Sequence, residues 1–74
     1  MLRVHLFRAH QQLFEGRATQ VILPSEAGEI SVLAFHAPMV CTLEHGVVQI
    51  DETHIPVRHG IACVGRNIVT IVAY

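Results

Sequence analysis

The sequence predicts an all-β fold, a flattened antiparallel sandwich or barrel of about 8–10 short strands in a single domain, residues 1–74. Apolar residues recur at every second position from Leu2 to Arg8, which places them on one face of a pleated strand, and short β-branched segments follow along the chain. Turn formers interrupt the chain at intervals of roughly 6–12 residues, too often for long helices. The chain has 74 residues, of which 51% are hydrophobic and 15% charged. A domain of this size buries only about 60% of the surface its unfolded chain exposes, so part of this apolar content is expected to meet a partner.

Leu2 to Arg8 alternates, with Leu2, Val4 and Leu6 on one face and Arg3, His5 and Phe7 on the other, as a half-buried strand requires. Gln11, Gln12 and Gly16 read as punctuation. Ala9 to Gly16 is the one stretch where good helix formers could compete, but eight residues are too few for an isolated helix. Arg17 to Leu23 is the second predicted strand, closed by the turn formers Pro24-Ser25-Glu26-Ala27-Gly28. Ile30 to Ala34 follows, then the His36-Ala37-Pro38 corner and a strand from Met39 to Leu43. Glu44-His45-Gly46 reads as a loop in which Gly46 is free to adopt positive φ. Val47 to Ile50 and His54 to Arg58 flank Asp51-Glu52-Thr53, and Pro56, which has no N–H to give a ladder, marks an edge or a bulge. Ile61 to Val64 and Ile68 to Ala73 pair across Gly65-Arg66-Asn67, and Tyr74 ends the sheet.

Composition narrows the function. The net charge is -1, with five basic and six acidic residues and no basic block, so a nucleic-acid partner has no electrostatic footing. No apolar run approaches the roughly 18 residues of a membrane span, and Met1-Leu2-Arg3-Val4-His5 lacks the apolar stretch of a signal peptide. The expectation is an intracellular soluble chain, or one that reaches a membrane only through a partner. Cys41 and Cys63 are too far apart for a CxxC site and read as small buried hydrophobes. Histidines stand at positions 5, 10, 36, 45, 54 and 59 without HxH or HExxH spacing, so no metal site is predicted, although sheet pairing could bring two together. Ser25 and Ser31 have no patterned base, Glu26 and Glu29 read as solvated turn residues, and the isolated glycines form no phosphate cradle. No cofactor and no catalytic residue follow from this pattern.

Five segments in order carry a family resemblance. Gly28-Glu29-Ile30-Ser31-Val32-Leu33-Ala34-Phe35-His36-Ala37-Pro38-Met39-Val40 resembles the GELGILPGHAPLL run of the epsilon subunit of F-type ATP synthases. Gln11 to Gly16, Gly46 to Ile50, Gly60 to Val64 and Asn67 to Val72 resemble further segments of that subunit in the same register, with a shorter hairpin at Asp51-Glu52-Thr53. The chain departs from the family pattern at Ser31, Phe35 and His59, where the family has glycine, at Ala34, where it has proline, and at Arg58, where it has serine.

The resemblance implies a non-catalytic rotor subunit of the central stalk, gripping the gamma subunit and the ring of c subunits to couple ion translocation to ATP synthesis or hydrolysis. It implies a position peripheral to the inner face of an energy-transducing membrane, on the cytoplasmic side in bacteria. Glu29 matches the acidic position that approaches the c-ring, and Arg8, His36, Met39, Val40 and Cys41 match positions turned toward gamma. The family's C-terminal helical pair, with its inhibitory and ATP-sensing roles, has no counterpart among these residues. Two other readings stand beside this one: a free-standing paralogue acting as a regulatory or scaffold sandwich, and a small metal-binding sandwich enzyme that uses the histidines.

Overall fold

The computed structural model describes residues 1–74 and is all-strand, with no helix. Nine strands follow one another: β1 (Leu2–Arg8), β2 (Gln11–Ala18), β3 (Gln20–Ser25), β4 (Gly28–Leu33), β5 (Met39–Leu43), β6 (Gly46–Ile50), β7 (Thr53–Val57), β8 (Gly60–Gly65) and β9 (Ile68–Ala73). They form one continuous sheet in the order β2-β1-β9-β8-β5-β3-β6-β7, with β4 pairing on β3. The all-β class and the strand number agree with the prediction.

The seam at β3 is narrow. β5 meets β3 only at Ser25↔Leu43, and β6 meets it at Val21↔Ile50 and Ile22↔Gln49. The sheet therefore folds over on itself there, with β2-β1-β9-β8-β5 on one side of the seam and β4-β3-β6-β7 on the other. Its inner face encloses a core of 16 buried residues, among them Leu2, Val4, Leu6, Val21, Leu23, Leu43, Val48, Ile50, Val69 and Ile71. The period-2 pattern read from β1 is realised in full, because Leu2, Val4 and Leu6 have no solvent exposure.

The structure corrects several details. Gln11 to Ala18 is neither punctuation nor helix: it is an edge strand paired antiparallel with β1 from Leu2↔Ala18 to Arg8↔Gln11. Only Ala18 of this strand is fully buried, so no alternation marks it in the sequence. Leu13 is the residue skipped where the register shifts between Leu6 and Phe7. The predicted Arg17–Leu23 strand is divided at Thr19, where the Asp51 carboxylate accepts the Thr19 and Gln20 N–H groups at 3.0 Å each. β3 runs on through Pro24 to Ser25, whose buried hydroxyl accepts the Ala27 N–H at 3.2 Å and donates to the Gly28 carbonyl at 2.6 Å.

Among the glycines, Gly28 rather than Gly46 carries positive φ, at 107°. Gly46 is demanded by crowding instead, since a Cβ there would stand 2.8 Å from the Pro24 Cβ. One pair departs from the antiparallel rule: β1 runs parallel to β9, from Arg3↔Ile68 to Arg8↔Ala73. Pro56 lies on β7, the end of the strand order, as its missing N–H predicts. Arg66 and Asn67, at φ 51° and 60°, form the tight β8–β9 hairpin with the paired positive φ values of a type I′ turn.

Candidate functional site

The outer surface of β1, β9, β8 and β5 departs from ordinary alternation. Ile61 and Cys63 flank buried Ala62, and Val72 lies between buried Ile71 and Ala73, so both strands are apolar on their two faces. Strand register aligns these outward residues in two rows. Phe7, Val72, Ile61 and Thr42 form one, and His5, Thr70, Cys63 and Val40 form the other. Val40 is 72% exposed, Ile61 52% and Val72 44%. His5 and Phe7 stack at one margin with ring centroids 6.4 Å apart and planes within 5°. A contiguous apolar surface on a paired sheet is suited to docking, because its backbone polar groups are already satisfied by the ladders.

The residues assigned to gamma by resemblance do not share one side of this sheet. Val40 projects outward, whereas Met39 and Cys41, opposite Val64 and Ala62, turn inward and pack against the core. Burial pushes the Cys41 thiol above its ordinary value, with Cys63 adding a smaller push, which favours the protonated thiol. Cys63 corrects the expectation of two buried cysteines, since it is exposed on the outer face. The two thiols lie on opposite faces of the β5–β8 pair.

His36 is half-buried in the link between β4 and β5, its Nδ1 at 2.7 Å from the Ala37 carbonyl oxygen and its N–H donating to Leu33. Beside it Phe35 takes φ 65° and is 89% exposed, its N–H held at 2.6 Å by the Asn67 side-chain oxygen. Arg8 closes β1 opposite Ala73, at the other end of the sheet from Asn67, and its guanidinium donates to the Pro56 carbonyl. Glu29 is exposed on β4, paired with Pro24, in the other layer. No three His, Cys, Asp or Glu side chains gather where they could hold one ion.

Sequence reasoning missed Phe7, Ile61, Cys63 and Val72 as members of the outer face. The signal was present in the runs Ile61–Val64 and Ile68–Ala73, which are apolar without alternation and so announce strands with two apolar sides.

Known proteins resemble the chain along its whole length. It matches the family model described as ATP synthase, Delta/Epsilon chain, beta-sandwich domain, over residues 1–74. It is 32% identical over 76 residues to the ATP synthase epsilon chain of Gloeobacter violaceus, an alignment covering 97% of this chain and 58% of that protein. In shape it is similar to a chain in the Euglena gracilis mitochondrial ATP synthase assembly of OSCP, F1 and c-ring, with a TM-score of 0.86 at 22% identity, covering 97% of this chain and 49% of that one. A chain of the Tetrahymena thermophila mitochondrial ATP synthase central stalk and c-ring gives a TM-score of 0.77 at 12% identity, covering 97% and 62%. At these identities the two structural likenesses bear on the fold. The chain spans less than two thirds of the length of each of these relatives.

Proposed function

The chain belongs to the ATP synthase delta/epsilon chain β-sandwich family, and on that premise we propose that it is a non-catalytic central-stalk subunit of a rotary F-type ATP synthase. In this reading it docks on the gamma subunit and on the ring of c subunits, so that rotation of the ring reaches the catalytic head. It is peripheral to the inner face of an energy-transducing membrane, which in a bacterium is the cytoplasmic side, and touches that membrane only through the complex. It uses no cofactor.

The observation that carries the reading is the outer apolar face of β1, β9, β8 and β5. Torque transfer needs stiffness and contact area rather than a reactive group, and a hydrogen-bonded sheet with a second apolar face supplies both. Val40 contacts gamma from the face itself, with Arg8 and His36 engaging it from opposite ends of the sheet. Met39 and Cys41 contribute by seating β5, because their side chains pack inward. Glu29, exposed on the separate β4 edge, is free to meet basic groups of the c-subunit loops by charge complementarity.

Pull-down and titration with purified gamma test the first contact. Val40→Asp with Ile61→Asp places two carboxylates on a surface that must be desolvated, and gamma binding falls by at least about tenfold. Binding retained within about twofold removes the face from the interface. Failure of the unmutated protein to bind gamma at micromolar concentration overturns the stalk assignment in favour of a free-standing scaffold paralogue. For the second contact, Glu29→Lys weakens capture of the c-ring, and undiminished capture removes Glu29 from that role.

A further inference from the structure

Three strands have a single neighbour each and so leave one edge of the sheet unpaired: β2 beside β1, β7 beside β6 and β4 beside β3. An unpaired edge is a template for a further strand unless something blunts it. β2 is blunted by its register shift at Leu13 and by the exposed charges of Glu15 and Arg17. β7 is blunted by Pro56, whose carbonyl is taken by the Arg8 guanidinium. β4, Gly28-Glu29-Ile30-Ser31-Val32-Leu33, has no proline, no register shift and one charge, Glu29, near its start.

The hydrogen bonds of β3 fix which groups of β4 face that edge. The carbonyls of Gln20 and Pro24 turn away from β4, since they accept the Asp51 and Glu44 N–H groups at 3.1 and 2.7 Å. Their β4 partners, Leu33 and Glu29, thus stand in non-hydrogen-bonded pairs of the β3–β4 ladder, and Ser31, opposite Ile22, shares their parity. Glu29, Ser31 and Leu33 therefore aim their main-chain N–H and carbonyl groups out of the edge. The Leu33 carbonyl bears this out by accepting the His36 N–H at 3.2 Å. The same three side chains are exposed, while Ile30 packs against the core and Val32 is fully buried in it.

We propose that the β4 edge pairs antiparallel with β4 of a second copy of this chain, about a two-fold axis at Ser31. That axis sets Ser31 against Ser31 and Glu29 against Leu33 in both directions, so all three outward residues meet one another. An axis at Ile30 or Val32 brings only two of them together. Each such pair exchanges two main-chain hydrogen bonds. The strand is self-complementary in this register, because the carboxylate of each copy faces a leucine instead of its twin, and Ile30 lies against Val32 on the inner side. A two-fold contact closes on itself, so assembly stops at two. A strand of six residues makes a small contact, so the dimer is weak, with a dissociation constant on the order of 100 micromolar. The inference is separate from the stalk assignment, because its test needs neither gamma nor c subunits. In the stalk reading the dimer belongs to the chain outside the complex, since it covers the edge that carries Glu29.

Sedimentation equilibrium of the protein from about 10 micromolar to about 1 millimolar is the test. The weight-average mass is expected to rise from 8.2 kDa toward twice that value. Ser31→Pro removes the N–H at the axis but no bond of the β3–β4 ladder, and holds the mass at the monomer value. Ser31→Lys and Ser31→Glu each put like charges face to face across the axis and weaken association by about fivefold, whereas an equimolar mixture of the two recovers it. A 1H–15N spectrum unchanged away from β3 and β4 shows that each variant remains folded. Val40→Asp with Ile61→Asp leaves association within about twofold, because those residues lie on the other layer. A mass that stays at 8.2 kDa throughout, association undiminished in Ser31→Pro, or a mixture no better than either charged variant alone overturns the proposal. Association lost in the Val40→Asp, Ile61→Asp protein also overturns it, by placing the dimer on the outer apolar face.

Discussion

Asp51 controls the bend that separates β2 from β3. Its carboxylate accepts the N–H groups of Thr19 and Gln20, and its own N–H donates to the Gln20 carbonyl at 3.1 Å. Its φ of 51° is in the left-handed region, which short polar residues tolerate better than others. Asp51→Ala leaves those donors to water and puts alanine at positive φ, so unfolding stability falls by about 1–2 kcal/mol. Asp51→Asn retains an acceptor and the local preference and loses less. Thermal melts of the two variants check this order, and equal melting temperatures would show that water replaces the carboxylate at no cost. Phe35 presents the opposite case. It occupies φ 65° without a short polar side chain, and the only hydrogen bond holding its N–H comes from Asn67, 32 residues away. Phe35 is thus strained in its backbone and 89% exposed in its side chain, on the margin of the corner that carries His36.

At the scale of elements, closure of β8 against β9 depends on Gly60. A Cβ there would press on the Val72 carbonyl oxygen and lie 2.8 Å from the Ala73 Cα, both rigid backbone. Gly60→Ala therefore forces the two strands apart and costs about 1–3 kcal/mol, to be read as a lowered urea midpoint with an unchanged slope. A midpoint equal to that of the parent would show that the β7–β8 link yields without disturbing the ladder. β1 was legible in the sequence by its alternation, with Leu2, Val4 and Leu6 in the core, and β8 and β9 by their short apolar, β-branched runs on either side of Gly65-Arg66-Asn67. β2 was not legible: it is an edge strand whose long polar residues, Gln11, Gln12, Glu15 and Arg17, are exposed. Helix-forming residues on such a strand carry no local penalty large enough to oppose seven residue pairings with β1.

For the whole molecule, the outer face lies outside the buried core and, in the proposed reading, is where a partner docks. Val40 and Ile61 face away from the buried cluster, so Val40→Asp with Ile61→Asp costs about 1 kcal/mol at each site, the penalty for aspartate on a strand, leaves the core packed and, in the proposed reading, weakens gamma binding. A large drop in melting temperature would mean instead that the face is structural and that the binding loss reports unfolding. The same separation governs the candidate site. Glu29, Arg8, His36 and Val40 were identified along the chain by resemblance, yet they lie in different layers and at different ends of the sheet. Met39 and Cys41 are sequence neighbours of Val40 but turn to the other face, as the period of a strand requires.

The sequence by itself determined the all-β class, most of the strand positions, the core parity of β1 and the family. These are properties of short windows, in which alternation, turn chemistry and ordered motifs act within a few residues of one another. Only the tertiary structure decided that β1 lies parallel to β9, that Thr19 is bent by Asp51, and that Phe7, Val72, Ile61 and Val40 become one surface. It alone brought Arg8 together with Arg58 and His59 from the far end of the chain. Those arrangements depend on contacts between residues tens of positions apart, whose choice is made by burying the shared inner face, and no local pattern records it.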